Sequence, residues 1–171
     1  MTTPLVITVI SADKPGLVES LAQVINRHGG NWLESRMARM AGQFAGILRV
    51  DVANDQLEAL RIDLDGLSAQ GINVQVAISR QADEPQQRTL QLTLVANDRA
   101  GIVHEVSRVL ASHGVNVESL ETECTPAPMS ADLLFKARAL LGVYPQTDLD
   151  ALRDALENLT DDLMVELQDA D

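Results

Sequence analysis

Apolar and polar positions along the chain fall into segments of two different periods. Leu5 to Ile10 is a β-rich apolar run and predicts a strand, whereas Pro15 to Arg27 sets Leu17, Val18, Leu21, Val24 and Ile25 on one face of a helix. Gly29-Gly30 ends that helix, because glycine accepts the left-handed conformation just past a helix C-terminus. Asn31 opens a second strand running to about Met40, and a turn follows around Gly42. Phe44 to Val52 returns as a third strand, with Leu48, Val50 and Val52 alternating with Arg49 and Asp51, as in a sheet with one buried and one wet face. Gln56 to Ala69 predicts a second helix carrying Leu57, Leu60, Leu64 and Leu67 on one side; Gly71 stops it, and Ile72 to Ile78 closes with a fourth strand. The order is β-α-β-β-α-β.

The same pattern then occurs again. Sliding the chain against itself by 85 residues matches Leu5 to Asn31 with nine identities in 27 positions, among them Asp13/Asp98, Gly16/Gly101, His28/His113 and Asn31/Asn116. Unrelated segments of average composition share about two. Most of the remaining pairs are apolar swaps such as Ile7/Leu92, Leu21/Val106 and Ile25/Leu110. The second half predicts strand Leu90 to Val95, helix Ala100 to Ser112, strand Val115 to Cys124, strand Asp132 to Leu141, helix Leu149 to Leu159 and strand Leu163 to Gln168. Its central turn is longer and holds Pro126 and Pro128, which cannot donate ladder hydrogen bonds. Ser79 to Thr89 is polar and carries Pro85, so it reads as a connection. The expectation is an α+β chain of two tandem ferredoxin-like modules, residues 1–79 and 90–171 about a linker 80–89. Each is a four-stranded antiparallel sheet with two helices on one face.

Composition narrows the function classes. The 171 residues carry 13 Lys+Arg against 25 Asp+Glu, a formal charge of −12, which argues against direct nucleic-acid binding because phosphate affinity comes from clustered cations. Residues 1–80 hold seven bases and eight acids, residues 81–171 six and 17, so the acidity belongs to the second half. There Glu118, Glu121 and Glu123 lie on one strand and Asp148, Asp150, Asp154 and Glu157 near one helix, an arrangement expected to suit a basic partner. No apolar run approaches the roughly 20 residues that a bilayer requires, and the start Met1-Thr2-Thr3-Pro4 has no export character, so a cytoplasmic protein without a membrane role is expected. Cys124 is the one cysteine, expected as a buried or half-buried thiol rather than a nucleophile. The three histidines lack metal-ligand spacing; His28 and His113 fall in the last turn of the first helix of each half, where a side chain complements exposed carbonyls. There is no nucleophile elbow, phosphate loop or dinucleotide fingerprint, so neither an enzyme, a metal nor a cofactor is expected.

Candidate chemistry sits in the duplicated first loop, Asp13-Lys14-Pro15-Gly16-Leu17 and Asp98-Arg99-Ala100-Gly101-Ile102; in both halves an asparagine in H-G-x-N follows 15 residues after the glycine. A helix N-terminus offers unpaired N–H groups and the positive end of its dipole, which favours a carboxylate. Asp13 or Asp98 accepts from an ammonium, and Asn31 or Asn116 supplies donors and an acceptor, so both ends of a free amino acid find partners. Equally, the aspartates suit simple N-caps.

Loop, asparagine motif and element order, each present twice, resemble the regulatory ACT domains, small ferredoxin-like modules that bind amino acids at a D/N-x-x-G-[LIV] loop. The resemblance covers Leu5 to Gln168. Among stand-alone tandem ACT proteins the chain is most similar to the glycine cleavage system transcriptional repressor group, with Leu134-Phe135-Lys136 and Val143-Tyr144-Pro145 as further points of likeness. The resemblance implies ligand contacts at Asp13, Pro15, Gly16, Leu17 and Asn31, and at Asp98, Ala100, Gly101, Ile102 and Asn116. It also implies a small effector such as glycine, a protein partner of the DNA-binding regulator kind, and homo-oligomers formed by side-by-side modules. The alternative reading is an accessory subunit controlling an amino-acid metabolic enzyme.

Overall fold

A computed structural model describes residues 1–80 and 87–170. The chain divides into two compact units, Met1–Ala82 and Asp83–Asp171. The first contains β1 (Thr2–Ala12), α1 (Leu17–Arg27), β2 (Asn31–Met40), β3 (Gln43–Ala53), α2 (Leu57–Gly66) and β4 (Asn73–Ile78). The second contains β5 (Arg88–Asn97), α3 (Ile102–Ser112), β6 (Asn116–Pro126), β7 (Leu133–Val143), α4 (Leu149–Glu157) and β8 (Met164–Asp169). The sheets are ordered β2-β3-β1-β4 and β6-β7-β5-β8, and every pairing is antiparallel. These are the two expected βαββαβ modules.

Alternation puts Leu5, Ile7 and Val9 of β1 and Leu48, Val50 and Val52 of β3 on one face, under Leu21, Val24 and Ile25 of α1 and Leu60 and Leu64 of α2. The second module repeats this with Leu90, Leu92 and Leu94 under Val106, Leu110, Leu152 and Leu156. The apolar stripe of the first helix is one position narrower than the sequence predicts: Val18 is 47% exposed and its counterpart Val103 45%. Trp32 is half-buried against the first core.

Element ends differ from expectation where backbone geometry decides them. Helices α1 and α3 begin at Leu17 and Ile102 rather than at Pro15 and Ala100, since Gly16 and Gly101 adopt φ of 89° and 92° and only the following residue enters the helix. The second helix of the first module ends at Gly66, and Leu67–Gln70 continue as a 3-10 turn to Gly71. The greater part of the expected linker, residues 81–86, lies outside the described residues, but its end is strand: β5 starts at Arg88, whose guanidinium grips Asp169 at 2.5 and 2.6 Å. The two middle strands of the first module are joined by Ala41-Gly42, both at positive φ (49° and 80°), as a two-residue hairpin of the twisted kind requires. The edge strands β2 and β6 carry a bulge at the same repeat position, between Trp32 and Glu34 and between Val117 and Ser119.

Cys124, expected buried or half-buried, is exposed, as are most residues of the edge strand β6 on which it stands. Its thiol is pushed above the usual range, first by desolvation and then by the Asp98 carboxylate, which keeps it protonated and unreactive. The histidines divide: His113 Nδ1 meets the Val109 carbonyl at 2.9 Å, the expected terminal contact, whereas His28 ties α1 to α2 through Asp63 at 2.7 Å.

Two outcomes follow from these geometries. Ala41 holds a left-handed conformation that a β-carbon disfavours by about 1 kcal/mol, so Ala41→Asn raises the urea stability of the first module by roughly 0.5–1 kcal/mol. Hydrogen bonding from Arg88 holds the Asp169 carboxyl below its ordinary range, so that contribution is complete above the unfolded value, about 4, and fades as pH falls through the lower folded value. Asp169→Asn therefore lowers the urea midpoint at pH 7, and its difference from the unaltered chain closes on acidification toward pH 2.

Candidate functional site

Both loops leave the central strand and turn into a helix, and their main chain is anchored in the same way. The Asp13 N–H donates to the Gly42 carbonyl and the Asp98 N–H to that of Leu133, each at 2.9 Å, tying the loop to the neighbouring hairpin. Gly16 and Gly101 are then the N-cap residues, and neither helix receives a side-chain cap. The capping alternative for the aspartates is thus corrected: a left-handed glycine takes the cap position and puts the aspartate three residues upstream. Pro15, Gly16, Ala100 and Gly101 are exposed, whereas Leu17 (7% exposed) and Ile102 (5%) turn their side chains into the cores and offer only main-chain groups to a ligand.

The loops differ in what surrounds them. In the first, Asp13 lies 3.6 Å from Arg39, Lys14 reaches away to the Gln70 carbonyl at 2.8 Å, and nothing stands within 4 Å of where a Gly16 side chain would begin. In the second, Arg99 clamps Glu105 of the first helical turn, Nη1 to Oε1 at 3.0 Å and Nη2 to Oε2 at 2.5 Å, and Glu105 Oε1 hangs over Gly101. Arg99 hydrogen bonding holds Glu105 below the ordinary carboxylate range, so this helix end already has an anion of its own. Ser20 occupies the equivalent position in the first module, with no charge. Beside the second loop, Asp162 accepts from the Asn97 N–H at 2.8 Å and is held low chiefly by that bond.

Asn31 and Asn116 are exposed and open β2 and β6. Register sets their distance from the loops. Asn31 pairs with Asp51, which pairs with Pro4, and Asp13 lies nine residues farther along, about 30 Å at 3.4 Å per residue. Asn116, Gly142, Thr89 and Asp98 repeat the relation. One module therefore holds its loop and its asparagine at opposite ends of the sheet, and no single small ligand within a module touches both.

The acidic residues of the second module also acquire neighbours. Asp148 caps α4, accepting from the Ala151 N–H at 3.0 Å. Glu121 and Glu123 stand on the open sheet face directly opposite Arg138 and Lys136 of β7, beside a hollow of about 290 Å³. Sequence reading singled out the glutamates but not these partners, because cross-strand register depends on a turn whose length periodicity does not reveal. The Arg99–Glu105 clamp was missed for a similar reason: a spacing of six is no helical neighbour relation. Among the described residues, no helix is long and apolar enough to cross a membrane.

Residues 3–77 match the ACT-domain family, and residues 90–136 match it a second time. No curated protein matches the sequence. Among solved structures, an unknown protein from Galdieria sulphuraria is 26% identical with a TM-score of 0.83, all of each chain being covered. A protein provisionally designated a glycine cleavage system transcriptional repressor is 19% identical with a TM-score of 0.70 over 99% of each chain, a likeness of fold. With two matched segments, the duplicated βαββαβ order and a glycine-opened loop in each half, the chain belongs to the ACT-domain family as a tandem of two modules.

Proposed function

We propose that this chain is a cytoplasmic amino-acid-sensing regulatory protein rather than an enzyme, and that it acts by contact with another protein. The finer reading is restraint of a DNA-bound transcriptional activator, relieved by a small amino acid such as glycine, with homo-oligomers as the working form. The observation that carries it is the open helix N-terminus behind Gly16, with exposed Pro15 and the Asp13 carboxylate beside it: main-chain N–H groups for a carboxylate and an acceptor for an ammonium. Asn31 and Asn116 are separate candidate contacts at the far ends of their modules. The second loop is the weaker seat, since Glu105 already occupies the space over Gly101. The likeness to the provisionally designated repressor and the net charge of −12, which disfavours direct reading of DNA, support the same reading. Glycine, with about five heavy atoms at a ceiling of roughly −1.5 kcal/mol each, reaches micromolar affinity at best, a range that suits sensing of a metabolite pool.

Thermal denaturation against the twenty amino acids tests sensing. At a hundred times its dissociation constant an effector adds about 2.7 kcal/mol and raises Tm. Asp13→Ala takes away most of that rise, Asp98→Ala leaves most of it, and Asn31→Ala combined with Asn116→Ala lowers it by a smaller amount, as separate contacts do; a panel without any effect overturns the sensing reading. Affinity capture tests the partner. The expected result is a DNA-binding regulator released by glycine, whereas a stable complex with a biosynthetic enzyme establishes the accessory-subunit alternative.

A further inference from the structure

The open faces of the two sheets carry different chemistry at equivalent places. Across the second sheet one row reads Glu121, Arg138, Thr93, Glu166 and the next Glu123, Lys136, Val95, Met164. Equivalent rows of the first read Arg36, Ile47, Thr8, Gln75 and Ala38, Ala45, Ile10, Asn73. The fold therefore does not require charge at three of these four positions, since the first module builds the same sheet with Ala38, Ala45 and Ile47 there; only Arg36, of opposite sign to Glu121, is charged. Opposite charges placed directly across antiparallel strands on one face are set to close on each other. In the first module they do: Glu34 and Arg49, opposite in register apart from the bulge, stand 3.4 Å apart. In the second they do not. Among the described residues, Glu121, Glu123, Lys136 and Arg138 make no ion pair within 4.0 Å and no side-chain hydrogen bond, although each carboxylate faces a cation across the ladder. These four line the hollow of about 290 Å³, which Thr93 and Val95 border on the far side of the cations.

Two carboxylates in a row two residues apart, facing two cations in the adjacent row, match a ligand that carries both signs within a few ångströms. A simple anion meets the glutamates and a simple cation meets the basic pair, so each is opposed by half of the site. Room for about ten waters admits a small molecule lying flat on the sheet. We propose that the open face of the second module binds a free α-amino acid. Its carboxylate lies at Lys136 and Arg138, its ammonium at Glu121 and Glu123, and the Thr93 hydroxyl is within the same hollow. This is a site distinct from the loops, and it stands whether or not they bind.

Amide chemical shifts of the ¹⁵N-labelled full chain, titrated with glycine and with L-serine, test it. Saturable shifts are expected at residues 93, 95, 121–123 and 136–138. Acetate or methylammonium alone, at equal concentration, produces shifts at least fivefold smaller. Glu121→Gln combined with Lys136→Gln, on a wet face where neither side chain packs in the core, removes the response, while Asp13→Ala leaves it intact. Shifts confined to residues 13–17 and 98–102, unaffected by the double substitution, overturn the proposal and leave the loop reading standing; shifts confined to the sheet face do the reverse. A spectrum unchanged by both amino acids overturns both, and equal shifts with acetate reduce the face to a surface of unspecific charge and overturn the dipolar site.

Discussion

One-sided burial of the central strands is the constraint on which each module depends. Leu5, Ile7 and Val9 must all face the helices, and because side chains alternate, a slip of one residue in β1 would turn all three toward water. That requirement locks β1 to β3 through Leu5 opposite Val50 and Ile7 opposite Leu48. Once the register is locked, everything at the ends of the strands is placed: Gly16 at one end, Asn31 at the other, and a sheet face with no helix over it. Candidate binding groups are thus a by-product of core packing, and their separation of about 30 Å is no more adjustable than the core itself.

Duplication preserved this frame down to details with no apolar signal. Left-handed glycines open α1 and α3, the loop N–H reaches the neighbouring hairpin in both modules, and the bulge in the edge strand falls at the same repeat position. What diverged is the charge laid on the frame. Where the first module has Ser20 the second has Glu105, held by Arg99; Arg36 and Ile47 correspond to Glu121 and Arg138. A helix N-terminus attracts an anion whether it comes from solution or from the chain, so an internal carboxylate in one module makes two loops of similar sequence chemically unequal.

Sequence periodicity resolved the elements because each is half-buried, and half-burial writes its own period: alternation for Leu48, Val50 and Val52, helical spacing for Leu60 and Leu64. The places where it failed are positions whose environment comes from elsewhere in the chain. Val18 and Val103 carry the right period but stay nearly half exposed, and Cys124 is apolar in character but exposed on the edge strand β6. Pro15 and Ala100 read as helical because no local rule shows that the next glycine will turn left-handed.

By itself the sequence determined the class of fold, its duplication, the family and the residues from which any site must be drawn, since all of these rest on local preference and on repetition of a pattern. Only tertiary structure decided which of those residues meet. Glu105 lies under Arg99, Glu121 faces Arg138, and Asn31 is parted from Asp13 by the length of a strand, although the last two are only 18 residues apart in the chain. The physical reason is register: cross-strand neighbours follow from core packing and turn length, and a helix of three turns returns the chain to the end of the sheet from which β1 set out.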